Sequence, residues 1–142
     1  MKRRSALLLL LLLPLTMAPR TSFDGGRLDV DVSTPRQSVR VGAVMPVTVT
    51  VTNDSPDTTE MTALVVTVLV DGLKDSVEVM TTSRGCLGTG TVAGCWLPPM
   101  EPSGTATVQL LARPQQAGRL MLEFSTRNGD VLGSVTRDVV SR

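Results

Sequence analysis

The feature of this sequence that most constrains its fold is a regular alternation of apolar and polar residues. Residues 47–52 are Val-Thr-Val-Thr-Val-Thr, and a two-residue period also runs through 28–33, 105–110 and 120–125. Successive side chains of a β-strand point to opposite faces, so each segment predicts a strand with one buried face. No segment shows a convincing 3.6-residue helical period. The pattern therefore predicts an all-β domain.

Two further features indicate how these strands pack and connect. Residues 64–70 are nearly continuously apolar, which predicts a central strand covered on both faces. Asn128-Gly129 predicts a type I′ hairpin between 120–126 and Val131–Val140. Seven to nine short antiparallel strands at this spacing predict an immunoglobulin-like β-sandwich. Aromatic residues make up only 2% of the chain, so valine and leucine must form the core.

The start of the chain has the composition of a secretory signal peptide. Lys2-Arg3-Arg4 precedes an apolar run at 6–13, which is far shorter than the roughly 20 residues that a membrane span needs. We expect residues 1–18 to be removed, residues 19–27 to form a loose leader, and residues 28–142 to form the domain. This arrangement predicts a secreted, cell-surface or periplasmic protein.

The charge of the mature chain narrows the class of partner. Residues 1–18 hold three of the 14 basic residues and no acid, so their removal leaves 11 basic against 13 acidic residues. Such a balance provides no basic surface for binding nucleic acid, and no candidate membrane span follows residues 1–18. We therefore expect the partner to be another extracytoplasmic protein or a surface component. The sequence leaves the oligomeric state open.

Cys86 and Cys95 are the two cysteines of the chain. Because an exported protein meets oxidising conditions, we expect them to form one disulfide that closes a short loop. Gly88-Thr89-Gly90 is predicted to be the tip of that loop and a candidate interaction site. Trp96 follows the second cysteine and is a candidate interaction residue too; it either packs on the bridge or is exposed, and the sequence favours neither.

No residue set predicts catalysis. Histidine is absent, which excludes Ser-His and Cys-His mechanisms and histidine-ligated zinc or copper. Asp29 and Asp31 are expected to be solvated and to protect an edge strand from pairing. Asn53, Asp54 and Asp57 are weak candidate calcium ligands in a loop whose expected role is turn formation. The methionines are expected to fill the core rather than bind copper. We predict no enzyme activity and no cofactor.

Several motifs follow one another along residues 28–140. They are Leu28-Asp29-Val30, Val47-Thr48-Val49-Thr50-Val51-Thr52-Asn53-Asp54-Ser55, Asp71-Gly72-Leu73, Cys86 with Cys95-Trp96-Leu97, Pro102-Ser103-Gly104 and Ala117-Gly118-Arg119-Leu120. In order and spacing they resemble the bacterial immunoglobulin-like surface repeats of the DUF-eleven group and the related CARDB-like (cell-adhesion-related) domains. The resemblance implies a sandwich on an exported protein, used as a spacer or adhesive module. This chain carries one copy, which makes a spacer role unexpected.

These observations predict an exported, non-catalytic module that acts in protein interaction or as an adhesion accessory. Leu28–Ser33 is predicted to be an edge strand, and partner segments can add to such an edge through main-chain hydrogen bonds. The loops at 53–57 and 86–95, which contain Asp54, Asp57 and Trp96, are the other predicted contact regions. The alternatives are a small carbohydrate-binding module and a calcium-dependent adhesion module.

Overall fold

The alternating segments form strands, and every regular element of the described chain is a β-strand. The computed structural model describes the main chain of residues 20–25 and the whole of residues 28–141. Within these residues no helix is long and apolar enough to cross a membrane. The predicted signal peptide, residues 1–18, lies outside them.

Eleven strands occur in the described residues. They are β1 (Arg20–Gly25), β2 (Leu28–Ser33), β3 (Ser38–Arg40), β4 (Met45–Asn53), β5 (Thr62–Val70), β6 (Val77–Thr81), β7 (Cys86–Thr89), β8 (Val92–Leu97), β9 (Thr105–Pro114), β10 (Gly118–Thr126) and β11 (Val131–Val140).

The strands form two sheets. Sheet A has the order β1-β2-β4-β9-β6, and sheet B has the order β3-β11-β10-β5-β8-β7. All pairs are antiparallel except β3 with β11, which is parallel. The predicted β-sandwich is confirmed, but the described strands outnumber the seven to nine expected. The additional strands β1, β3 and β7 are short and lack an apolar alternation that would reveal them.

The core lies between the sheets and is aliphatic, as the composition predicts. Phe124 is its largest fully buried side chain, and most of its other members are valines and leucines. Fully burying such a side chain contributes about 1.5–3 kcal/mol, as an upper estimate. Met45 and Met100 fill the core, whereas Met61 and Met121 are exposed. The predicted role of methionine as core filler therefore holds for only some of these residues.

Strand β5 differs from its prediction. Leu64, Val66, Val68 and Val70 are buried, but the residues that alternate with them are only half-buried. The prediction that this strand is covered on both faces is therefore wrong. A continuously apolar strand is suited to burial on both faces. A two-sheet sandwich, however, has no third layer to cover the outer face. The outer face of β5 consequently remains partly open.

The predicted edge strand Leu28–Ser33 is an interior strand. All six of its residues pair with β1 on one side, and its other side pairs with β4. Since β1 forms within residues 19–27, the predicted loose leader contains a strand. The prediction that Asp29 and Asp31 protect a sheet edge is wrong for the same reason. The outermost strands of the two sheets are β1, β6, β3 and β7.

The hairpin at Asn128-Gly129 exists, but its turn is not type I′. A type I′ turn needs a positive φ at both central residues. Here Gly129 has a φ of 86°, whereas Asn128 is not among the residues with positive φ. The N–H of Gly129 donates to the carbonyl of Thr126 (3.0 Å), and the N–H of Thr126 donates to Asp130 (2.9 Å). These bonds define a longer loop, which contains a glycine in the left-handed conformation.

The type I′ pattern occurs instead at Asp71-Gly72, which the sequence marks only as the end of β5. Both residues have positive φ, 50° and 69°. The N–H of Leu73 donates across the turn to the carbonyl of Val70 (3.0 Å). The Asp71 carboxylate also accepts from the main-chain N–H of Arg119 (3.0 Å). This tertiary hydrogen bond joins the turn to β10 and helps Asp71 hold a conformation that non-glycine residues seldom adopt.

Candidate functional site

The β7–β8 hairpin carries both cysteines in one cross-strand pair. Cys86 lies directly opposite Cys95 in the antiparallel register, and the two form a disulfide, as predicted. The side chain of Cys95 is buried and that of Cys86 packs against the core. The N–H of Trp96 donates to the carbonyl of Gly85 (3.0 Å) and continues the ladder past the bridge. The disulfide therefore lies on the core-facing side of sheet B, between the two strands at the β7 edge of that sheet.

The predicted loop tip is shorter than expected. Gly88 and Thr89 belong to strand β7, and only Gly90 of this trio lies in the turn. A Cβ on Gly88 would come within 2.9 Å of the carbonyl oxygen of Val79, so β7 requires glycine where it passes β6. The carbonyl of Gly90 accepts from the N–H of Val79 (2.8 Å). The prediction that Gly88-Thr89-Gly90 is the tip of a loop is therefore wrong for Gly88 and Thr89, which lie in β7, and right only for Gly90.

The outer face of this hairpin is apolar and exposed. Leu87 is 83% exposed, Trp96 is 54% exposed and Val92 is 37% exposed. The register places Leu87 opposite Gly94 on β8, and Val65 of β5 lies opposite Gly94 on the other side. A Cβ on Gly94 would meet no atom within 4 Å, so the centre of this surface is open. We call Leu87, Val92, Trp96 and Val65 the hairpin patch.

Trp96 lies near the end of β8, at the border of the hairpin patch, and its side chain is on the opposite face of the strand from the disulfide. Its neighbour across the sheet is Ala63, whose carbonyl accepts from the N–H of Arg127 (3.2 Å). This bond holds Arg127 beside the indole, with the guanidinium carbon 6.0 Å from the ring centroid. A cation at that distance is attracted by the ring and contributes roughly 0.5–1 kcal/mol at an exposed site. Of the two positions considered for Trp96, the structure has the exposed one.

The loop with the candidate calcium ligands is organised by Asn53. The Asn53 side chain is buried and its amide nitrogen donates to the carbonyls of Asp57 (2.7 Å) and Met100 (3.0 Å). Its Oδ1 accepts from the N–H (3.0 Å) and the hydroxyl (2.8 Å) of Ser55. All four hydrogen-bonding capacities of the amide are thus used within the protein. Asn53 builds the loop and has no free lone pair to offer a cation.

Asp54 and Asp57 remain exposed on this loop. Asp57 lines an open cleft of about 550 Å³ at the end of the sandwich, together with Glu60, Asp130 and several hydroxyl-bearing residues. No group of three His, Cys, Asp or Glu side chains in the described part of the chain could hold a metal ion. The structure therefore does not bring the three calcium candidates together as a set of ligands.

A buried arginine is the residue that the sequence interpretation missed. Arg137 is 5% exposed and lies on the same side of β11 as Val135 and Val139. Its Nε donates to the hydroxyl of Thr34 (2.8 Å) and its Nη1 donates to the carbonyl of Thr136 (2.8 Å). Its Nη2 has no partner among the described residues. Burial disfavours the charged form and lowers the pKa of Arg137. The alternation of β11 gives the signal for this burial, since residues 135, 137 and 139 share one parity.

No protein-family model matches the chain, and no curated protein matches it. Solved structures do match. The CARDB domain of the PF1109 protein from Pyrococcus furiosus, in a crystal structure with di-metal ions, matches with a TM-score of 0.56 and 15% identity, over 84% of this chain and 93% of that one. The solution structure of the same domain gives 0.52 and 15%, over 82% and 96%. AvmM, whose structure is described as catalysing macrocyclization in alchivemycin A biosynthesis, gives 0.57 and 11%, over 80% and 88%.

At these identities the likeness shows a shared fold. The chain has the fold of a CARDB domain, an immunoglobulin-like β-sandwich, along most of its length. The resemblance drawn from the sequence motifs is confirmed at that level.

Proposed function

We propose that this chain is an exported, non-catalytic immunoglobulin-like module that binds another extracytoplasmic protein through the hairpin patch. The observation that carries the proposal is the exposure of Leu87, Trp96 and Val92 on the same face of one hairpin. Contiguous exposed apolar surface is costly in water and marks interaction sites. Tryptophan is enriched among the residues that dominate binding energy.

Three features support the non-catalytic and exported parts of the proposal. The chain has no histidine, and its two cysteines are joined to each other, so the most common nucleophile and base pairs cannot form. The disulfide suits an oxidising compartment. The composition of residues 1–18 suits a cleaved signal peptide.

Site-specific photocrosslinking tests the proposed surface in cells that make the protein. A benzophenone amino acid at position 92 should give one dominant adduct, and the same group at position 73 should not. Leu73 is a suitable control because it is also an exposed apolar residue but lies in the β5–β6 connection. Leu87→Glu in the position-92 variant should abolish the adduct without changing the melting temperature by more than a few degrees.

The results distinguish three outcomes: binding of another protein, self-association, and no binding at the hairpin patch. Mass spectrometry of the adduct identifies the partner, and sedimentation velocity of the purified chain shows whether a second copy is that partner. Equal adducts at positions 92 and 73, or no adduct at position 92, contradict the proposal. Since Trp96 is the only tryptophan, its emission gives a second readout and should shift to shorter wavelength on binding.

A carbohydrate-binding module remains the second candidate, and the exposed indole of Trp96 is the observation that favours it. Aromatic faces are platforms for sugar rings, but Arg127 lies over the ring here and no other aromatic side chain is among the exposed large apolar residues described. A glycan array with a Trp96→Ala control tests this candidate. A rise in melting temperature with millimolar Ca²⁺ would support the calcium-dependent adhesion alternative.

A further inference from the structure

A second surface lies at the opposite edge of sheet B, beside β3. It is an open cleft of about 640 Å³ between the β2–β3 connection, β3 itself, the start of β4 and the end of β11. Val39, Ala43, Val44 and Val140 give the cleft apolar walls, and Arg36 and Arg40 flank them. None of the described residues that line the cleft is acidic. The cleft thus combines apolar surface with two positive charges.

Both arginines are available to a ligand. Arg36 and Arg40 are exposed, and the ion pair between Arg113 and Glu78 is the one found among the described residues. Asp138 is the nearest acid in the strand register, opposite Ser38, but it is not part of the lining. The two positive charges therefore have no partner within the described part of the cleft.

Hydrogen bonds within the protein fix the main chain at both arginines. The buried Arg137 donates to the Thr34 hydroxyl, which in turn donates to the carbonyl of Arg36 (3.0 Å). On the other side of β3, the carbonyl of Arg40 accepts from Ala43 (3.0 Å). Fixed walls of this kind reduce the ordering cost of binding.

Strand β3 also offers unused main-chain groups. Its inner side pairs with β11, where the N–H of Asp138 donates to Gln37 (3.1 Å) and the N–H of Val41 donates to Val140 (2.9 Å). Residues 37 and 41 thus face β11, and alternate strand residues direct their polar groups to opposite neighbours. The N–H and the carbonyl of Ser38 and the N–H of Arg40 consequently point to the outer side, where β3 is the edge of the sheet. The carbonyl of Arg40 is not among the unused groups, because it accepts from Ala43.

We propose that this cleft binds an extended acidic segment of a partner protein, which adds to the outer edge of β3 as a further strand. Carboxylates of the segment meet Arg36 and Arg40, and its apolar side chains lie against Val44 and Val140. Strand addition supplies affinity through main-chain hydrogen bonds, and the charges select the partner. The surface is separate from the hairpin patch, so the two proposals stand or fall independently.

The test titrates blocked (Glu-Val)₄ peptide into the ¹⁵N-labelled mature protein. The amides of Ser38 and Arg40 should shift most, and the corresponding (Lys-Val)₄ peptide should bind at least tenfold more weakly. The double variant Arg36→Glu/Arg40→Glu should weaken (Glu-Val)₄ binding at least tenfold. The matched control, Arg84→Glu/Arg119→Glu, makes the same change in net charge at exposed positions outside the cleft and should change the affinity less than twofold.

A third variant tests whether the peptide adds as a strand. Ser38→Pro removes one outward N–H at an edge position, where proline is tolerated, and should weaken binding at least threefold. Loss of binding in the arginine variant with full binding in Ser38→Pro would overturn strand addition. Equal weakening by the control variant would overturn the cleft as the site. Binding to phosphatidylglycerol vesicles without binding to the peptide would overturn the proposed class of partner.

Discussion

The replacement of Asn53 by alanine tests the central role assigned to its buried amide. The change removes two hydrogen bonds from Ser55 and two to the carbonyls of Asp57 and Met100. Both carbonyls have another donor in the variant. The N–H of Thr59 also donates to Met100 (2.8 Å), and the Ser55 hydroxyl, whose one proton is released from Asn53, lies 2.9 Å from the carbonyl of Asp57 and donates there instead. The loss is therefore smaller than four independent bonds would suggest.

With about 1 kcal/mol for each net hydrogen bond and partial compensation at the two carbonyls, we expect Asn53→Ala to lower the free energy of unfolding by about 3 kcal/mol. In a domain of this size that corresponds to a fall in melting temperature of about 10 °C. Urea unfolding followed by circular dichroism measures the change, and the slope with urea should stay constant. Asp54→Ala, on the exposed part of the same loop, should change stability by less than about 0.5 kcal/mol.

Asn53→Asp separates the structural role from a calcium role. The carboxylate keeps an acceptor for Ser55 but places an oxygen against two carbonyl oxygens, so this variant should be at least as unstable as Asn53→Ala at pH 7. In a calcium site the added charge would instead let millimolar Ca²⁺ restore stability. Restoration by Ca²⁺, or a loss below about 1 kcal/mol in Asn53→Ala, would refute the reasoning.

Three further predictions concern the disulfide, the predicted signal peptide and the buried arginine. Cys86→Ser/Cys95→Ser should lower stability by about 2.5 kcal/mol in the chain-entropy treatment of a ten-residue loop, measured by urea unfolding; free thiols in native protein would contradict the bridge. N-terminal sequencing of secreted protein should begin near residue 19 or 20, and retention of residues 1–18 in membranes would make the segment an anchor. Arg137→Met removes a desolvated cation, so its free energy of unfolding at pH 7 should lie between the wild-type value and about 1 kcal/mol above it. A loss above about 2 kcal/mol would disprove that explanation.

The sequence predicts the long strands well because their period is a local property. The alternating valines of β4 and the turn that follows them are fixed by the two-residue repeat and by proline and aspartate chemistry. Strands β1 and β3 have no such repeat and form because a neighbouring strand offers its edge. Their existence depends on tertiary pairing, which a single sequence does not display.

The candidate site could be predicted only in part, because only some of its features are local properties of the sequence. Cys86, Cys95 and Trp96 stand out by residue type, so the hairpin could be located without coordinates. The exposure of Leu87 and Val92 could not, because β7 is short and β8 has no polar residue, so no alternation marks their outer face. Gly88 looked like a loop residue because glycine is common in turns, whereas here it permits the close approach of β7 to β6.

The parallel pairing of β3 with β11 has a consequence for how the domain is completed. Ser38 pairs with Asp138, and the N–H of Val41 donates to the carbonyl of Val140, so nearly the whole sequence of the domain lies between the two paired strands. Closing so long a loop carries a large entropic cost, and contacts of this kind form slowly and late in folding. We therefore expect β3 to dock only after β10 and β11 have assembled. A ligand that recognises the β3 edge would then distinguish the finished domain from partly folded forms.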